Sequence, residues 1–259
     1  MLQFSKDSSS IISKLKIKDI NLGNYSLVAY GKGMELPAFT YQRAKINLEG
    51  KIIKTIPIYE LLFLEDAYAD EKNLLIFLND VSESKEVLDN LWSLGINADI
   101  FTCQKLKEKG NTKITEFEGE LCETNLSLSI LNNIAKSLNS PRSKRILEEL
   151  DFSDLKDWIE KKSSEVDLNL PEIIISPVLL PSKYYIEENL GKIVKTYYDT
   201  NFSNSTLIYT GIDTLVMRRI SFELKKNNYN VKELLLDTEP LMAPIYLTII
   251  SYILKNKIK

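Results

Sequence analysis

Histidine is absent from all 259 residues. Its absence excludes a Ser-His-Asp or Cys-His triad, a histidine-ligated zinc and any imidazole proton shuttle. Only two cysteines occur, Cys103 and Cys122. They cannot build a four-sulfur metal site, and in a reducing compartment they read as buried core thiols. No apolar run approaches the ~20 residues that a membrane-spanning helix needs. The opening residues are polar and lack the apolar core of a signal peptide, so a soluble, cytoplasmic chain without membrane partners is expected. Basic and acidic residues number 33 and 36, a net charge of -3. No basic field marks nucleic acid as a partner. No metal and no cofactor is expected either.

What is present is ordinary globular material. Hydrophobic residues make up 44% of the chain, with 9 Gly and 8 Pro, which excludes disordered and collagen-like architectures. The length suits one large domain or two of common size.

Strand and helix signals alternate. Tyr25–Tyr30 is a β-prone run ending at Gly31-Lys32-Gly33, and Glu35–Lys45 reads as a helix that tolerates Pro37 in its first turn. Lys51–Ile56 is a second strand. Asn73–Leu78 is almost continuously apolar, the mark of a strand buried on both faces in a parallel sheet. Asn79–Ser84 then opens a helix with Val87, Leu88, Leu91 and Leu94 on one face, closed by Gly95, and Asn97–Phe101 returns as a strand. A helix over Leu126–Leu138 stops at Ser140-Pro141, and Arg142–Lys162 reads as a charged bridging helix. The rhythm then repeats: strands within Pro171–Leu180, Lys192–Tyr198, Thr206–Tyr209 and Val231–Leu236, and helices over Ser182–Leu190, from the N-cap Asp213 to Lys226, and over Met242–Leu254. The expected fold class is α/β, two doubly wound parallel-sheet halves of flavodoxin-like type with helices on both faces. The expected organisation is a helical segment over residues 1–20, a first subdomain over 21–140, a linking helix over 141–165 and a shorter second subdomain over 166–259.

In such sheets ligands bind at the carboxyl ends of the strands, near the switch point in strand order. Two loops of the first half qualify, Tyr30–Met34 and Asn79–Ser84. A strand, a Gly or Ser loop and a helix N-terminus together make a ready anion site.

The stretches Leu27–Ala38, Leu74–Leu88 and Ala243–Tyr252 resemble the sugar isomerase (SIS) domain family. The likeness is strongest to the tandem pair in the isomerase half of glutamine–fructose-6-phosphate aminotransferase. The first stretch sits where the family has a strand and a Cys-Gly-Thr-Ser loop; the second, where it has a strand and Ser-Gln-Ser-Gly-Glu-Thr; the third looks like its late helix. The resemblance implies a phosphorylated sugar as ligand, aldose–ketose isomerisation if the chain is an enzyme, and a homodimer. It implies ligand contacts from Gly31, Lys32, Gly33, Asn79, Ser82 and Ser84.

The departures are specific. Of the phosphate loop only Glu83 is kept, with Ser84 for Thr; Val81 replaces a hydroxyl and Asp80 adds a carboxylate. The family's ring-opening His has no counterpart. Its tail Lys would lie beyond Ile253–Lys259, and an N-terminal Cys nucleophile is missing, so glutamine amidotransferase activity is not expected. Candidate acid–base groups are Glu35, Glu60, Glu83 and Asp199. Three of them have a plain structural alternative: Glu83, with Asp80, as a helix capping box, Glu60 as a solvated side chain, Asp199 as a turn residue. The alternative function is a non-catalytic SIS relative acting as a sugar-phosphate sensor or an interaction protein.

Overall fold

The computed structural model describes residues 9–64 and 74–258. Lys14–Leu147 form one compact unit; the chain from Glu148 onward, with the described residues before Lys14, forms the other.

The first unit holds β1 (Leu27–Tyr30), α1 (Glu35–Ala44, continued by a wider turn to Glu49), β2 (Lys54–Pro57), α2 (Ile58–Leu64), β3 (Leu74–Leu78), α3 (Val81–Leu94), β4 (Ala98–Thr102), β5 (Thr112–Glu116) and α4 (Cys122–Lys136). All five strands are parallel and lie in the order β2-β1-β3-β4-β5, the flavodoxin-like order with its switch point between β1 and β3. β3 is buried at every position because β1 and β4 flank it and helices cover the sheet. That explains its unbroken apolar sequence. Leu27, Ala29, Ile76, Leu78 and Ile100 pack against Val87, Leu88 and Leu91 of α3, three of the four residues expected on that face; Leu94, in the last turn, is exposed instead. Gly95 closes α3 in the left-handed region with φ 67°, a position that suits glycine. β5 was not expected: its Thr-Lys-Ile-Thr-Glu carries too few apolar groups, as befits a half-covered edge strand.

Residues 1–20 were expected to be helical. Among those described, helix runs only over 9–12. From Lys14 the chain is extended and tied to α4: the Lys16 N–H donates to Asn125 (2.9 Å), the Lys18 N–H to Ser129 (3.0 Å), and the Asn133 amide to the Ile20 carbonyl (2.6 Å). These three polar residues recur every fourth position on one helix face, so they satisfy an extended strap rather than a second helix.

Cys103 and Cys122 are not free thiols. They form a disulfide with a Cα–Cα distance of 5.9 Å. Cys103 follows β4 directly and Cys122 opens α4. Their pairing is set by the tertiary structure across 19 residues, which spacing in the sequence does not reveal.

The bridging segment is two helices, α5 (Pro141–Glu149) and α6 (Leu155–Glu165), and the division between units falls within α5. The second unit adds β6 (Glu172–Ile175), a 3-10 turn (Pro177–Ser182), α7 (Lys183–Leu190), β7 (Ile193–Thr196), β8 (Ser205–Thr210), α8 (Thr214–Lys226), β9 (Val231–Leu236) and α9 (Ala243–Ile258). Its four parallel strands run β7-β6-β8-β9, with Ile174, Leu207 and Tyr209 packed against Met217, Ile220 and Leu224 of α8. Among the described residues no helix is long and apolar enough to cross a membrane.

Candidate functional site

The switch point of the first sheet places two loops side by side. Tyr30 of β1 is in register with Phe77 of β3, and the next N–H, that of Gly31, donates to the Phe77 carbonyl at 2.8 Å. The chain then turns through Lys32 and Gly33, whose φ of 77° is open to glycine at no steric cost, and enters α1 at Glu35. β3 leaves through Asn79 and Asp80. Asp80 is the N-cap of α3, its Oδ1 accepting the Glu83 N–H at 2.9 Å, as a capping carboxylate should. The capping reading of Asp80 holds. Glu83, however, does not reach back to complete the box. Its Oε2 crosses to the other loop and accepts the Lys32 N–H at 3.0 Å.

That crossing explains Gly31. A Cβ at this position would overlap the Glu83 carboxylate where it now lies, so glycine here permits the close approach of that side chain. Between the loops and the start of α2 opens a cleft of about 640 Å³, lined by Tyr30, Gly31, Lys32, Glu35, Pro57, Ile58, Tyr59, Asp80, Ser82, Glu83 and Glu86.

The cleft is acidic, and two of its carboxyls are harder to ionise than an ordinary glutamate. Burial raises the Glu35 carboxyl, and the charge of Glu83 raises it further; the N–H groups of Glu35 and Gly33 oppose this. One Glu35 oxygen is buried without a hydrogen bond to the protein. Burial also raises Glu83, with Asp80 and Glu86 adding to the shift and the Lys32 N–H and ammonium opposing it. The Tyr30 phenol is raised by burial and then by Glu35 and Glu60. The Tyr59 hydroxyl donates to Glu86 at 3.1 Å. A carboxyl that holds its proton more tightly than usual, beside a second that shares its field, can give and take a proton at one place.

Of the residues singled out from sequence, the fold brings Gly31, Lys32, Ser82, Glu35 and Glu83 to the cleft; Gly33 stays outside the lining, its N–H turned to the Glu35 carboxyl. Asn79 is held elsewhere: its amide donates to Glu123 at 2.6 Å and its carbonyl accepts from Gln104 at 3.3 Å. Ser84 is fully buried, its hydroxyl donating to the Asp80 carbonyl at 2.5 Å. Glu60 sits in the first turn of α2, outside the lining. Asp199 belongs to the other unit, where its carboxylate accepts the Thr196 N–H at 2.6 Å and the Thr196 hydroxyl at 3.0 Å. The first of these bonds holds it below the usual carboxylate range, which suits a turn residue and not a base.

Tyr30, Tyr59 and Glu86 escaped the sequence reading. The signal for the first two was available, since Tyr30 ends β1 and Tyr59 stands two residues beyond the carboxyl end of β2. A larger cleft, about 720 Å³, opens in the second unit against Tyr197, Asp199, Phe202 and Arg219. Its charged groups are engaged, Asp199 as above and Arg219 with Glu223 at 3.3 Å, so volume alone does not mark it as the site. Among the described residues no group of three or more His, Cys, Asp or Glu could hold a metal ion.

No family model matches the sequence, and no curated protein matches it. Solved structures do. Glucosamine-6-phosphate deaminase from Thermotoga maritima is 16% identical, covering 98% of this chain and 90% of its own, with a TM-score of 0.67. The C-terminal domain of glucosamine-fructose-6-phosphate aminotransferase from Francisella tularensis is 13% identical, covering 98% and 92%, with a TM-score of 0.58. Tagatose-6-phosphate ketose/aldose isomerase from Escherichia coli is 11% identical, covering 98% and 86%, also at 0.58. This chain has their fold. The resemblance to sugar isomerase domains thus stands at the level of architecture, over nearly the whole chain.

Proposed function

We propose that the chain binds a phosphorylated sugar or a closely related carbohydrate derivative in the cleft at the carboxyl ends of β1 and β3, and that its reaction, where it catalyses one, is aldose–ketose isomerisation. The observation that carries this reading is the position of Glu35. Glu35 lines a cleft at the sheet's switch point, one of its carboxyl oxygens is buried and unpartnered, and the group stands within the field of a second carboxyl. Isomerisation moves a proton between adjacent carbons and needs one group that accepts it and returns it. Glu35 supplies that group, Lys32 the positive charge for an anionic substituent, and Ser82 and Tyr59 hydroxyls for the sugar. The fold is shared with proteins whose names specify glucosamine 6-phosphate, fructose 6-phosphate and tagatose 6-phosphate, which supports the ligand class.

A thermal-shift panel of fructose 6-phosphate, glucose 6-phosphate, glucosamine 6-phosphate, UDP-sugars and inorganic phosphate tests the reading. A ligand that binds only the folded state raises the midpoint once its concentration exceeds its Kd. A response to one hexose phosphate, weakened by Lys32→Ala, supports it; no response across the panel overturns it.

The second reading is a non-catalytic sensor of the same ligand class. The chain has no histidine, and Asp80 already caps the first turn of α3. Binding without isomer exchange, in the wild-type chain as in Glu35→Gln, selects the sensor. The homodimer that the resemblance implies is tested separately, by the molar mass in light scattering.

A further inference from the structure

Two sets of backbone N–H groups at the cleft could cradle an anion: the turn after β1 and the first turn of α3. One N–H of each set is taken by a carboxylate of the chain itself. Asp80 accepts the Glu83 N–H at 2.9 Å, and Glu83 accepts the Lys32 N–H at 3.0 Å. The Glu83 carboxylate lies so close over Gly31 that not even a methyl group would fit beneath it. Resting on the reading that the cleft takes a sugar phosphate, we propose that Glu83 is a built-in competitor for the ligand's anionic group. It fills the Lys32 cradle in the empty site, and an incoming phosphate or sulfate binds by displacing it.

Displacement is open to this side chain. Glu83 stands on the first turn of α3, half-buried, at the wall of an open cleft. The groups facing it are Lys32 from the loop after β1, Glu35 from α1, Tyr59 from α2, and Asp80 and Glu86 from α3. Three carboxyls against one ammonium leave little to balance a dianion while Glu83 stays charged and in place. Once Glu83 takes up a proton, its hold on the Lys32 N–H weakens and the repulsion of the entering anion falls. Anion binding is therefore linked to proton uptake and tightens as pH falls. Burial and the neighbouring carboxylates already raise this carboxyl above the ordinary range, which moves the change toward neutral pH.

Sulfate is the probe of choice because it remains a dianion across the range. Titration calorimetry compares sulfate, glucose 6-phosphate and glucose on the wild-type chain, Glu83→Ala and Glu83→Gln, at about pH 8 and about pH 5.5. The expected result is sulfate bound about tenfold tighter by Glu83→Ala than by wild type at the higher pH, with the gap closing at the lower pH. Glu83→Gln falls between them, since its amide oxygen still accepts the Lys32 N–H without the charge, and it carries the comparison if the alanine variant does not fold. Equal sulfate affinity in all three proteins overturns the proposal, as does sulfate binding to none. The two readings fail separately. If sulfate behaves as expected but glucose 6-phosphate binds no better than sulfate, the competitor stands and the sugar reading falls. If wild type binds glucose 6-phosphate tightly and Glu83→Ala binds it no tighter, the sugar reading stands and the competitor falls.

Discussion

The two units build the same junction in two versions. In the first, the Gly31 N–H donates to Phe77 across the β1–β3 pair, Met34 folds back to Gly31 (3.1 Å), and the loop N–H of Lys32 donates to the Glu83 carboxylate at the start of α3. In the second, the Ser176 N–H donates to Ile208 across β6–β8 (3.0 Å), Leu179 folds back to Ser176 (3.0 Å), and the loop N–H of Val178 donates to Asp213 (3.2 Å). Asp213 also accepts the Thr210 N–H at 2.7 Å and the Thr210 hydroxyl at 2.9 Å. The two junctions differ in burial. Asp213 is 7% exposed and the segment after its partner loop is Val178-Leu179-Leu180, whereas Glu83 faces a cleft and the corresponding segment brings in Glu35. A carboxylate tying two strand ends together is thus a structural device of this fold. It becomes a candidate for chemistry only where the junction is open and a second titratable group stands beside it.

The largest expected effect breaks the closed junction. Asp213→Ala leaves the Val178 N–H, the Thr210 N–H and the Thr210 hydroxyl without their acceptor, at about 1–3 kcal/mol each, so a loss of about 4 kcal/mol is expected. Urea denaturation followed by circular dichroism reads it. Glu83→Ala, at the open junction, should cost less than about 1 kcal/mol because water can replace the carboxylate. Similar losses in both variants would mean that the junctions do not differ as described.

Next in size is the disulfide, which only the first unit possesses. Replacing both Cys103 and Cys122 by Ser should cost about 3 kcal/mol, the chain-entropy value for a loop of this length. It should also loosen the site. Gln104 and Glu123, each adjacent to a bridged cysteine, hold the Asn79 side chain, and Asn79 begins the loop that presents Asp80 and Ser82. Hydrogen exchange at residues 79–84 should speed up in the double variant. Unchanged exchange there would reduce the bridge to a staple without influence on the cleft.

Asp80 offers a smaller test of open against closed. Asp80→Ala removes a helix cap and should cost about 1 kcal/mol in the midpoint of thermal unfolding. Asp80→Asn keeps an acceptor for the Glu83 N–H and removes one charge from the cleft, so stability should hold while anion binding tightens.

Much of this architecture was legible. The unbroken apolarity of Leu74–Leu78 marked a central strand, and Gly95 and Asp80 marked the ends of α3, because these features depend on neighbours in the sequence. The acid–base candidates were legible only as a set. What separated Glu35 and Glu83 from Glu60 and Asp199 was burial and the pairing of β1 with β3, which spacing along the chain does not encode. The partners of the phosphate-loop side chains were hidden for the same reason. Ser84 looks like a ligand contact until α3 forms and turns its hydroxyl onto the Asp80 carbonyl, and Asn79 looks free until α4 brings up Glu123. The disulfide and β5 likewise arise from packing at the far edge of the sheet.

The smallest effect isolates the feature that the second unit lacks. Glu35 has a folded-state pKa raised by burial and by Glu83, so the folded chain holds its proton more tightly than the unfolded chain does. For such an acid, stability is complete below the unfolded-state pKa and is lost as pH rises through the folded-state value. The wild-type chain should therefore lose a little stability across this window above the ordinary glutamate pKa. Glu35→Gln, which cannot ionise, should flatten that part of the profile and match or exceed the wild type at neutral pH. Because the group is partly exposed, the difference should stay below about 1 kcal/mol. Denaturation midpoints for both proteins across pH 4 to about 8 measure it. A profile that Glu35→Gln leaves unchanged would mean that the carboxyl ionises freely, and the open junction would then lose the one group that sets it apart from the closed one as a place for proton transfer.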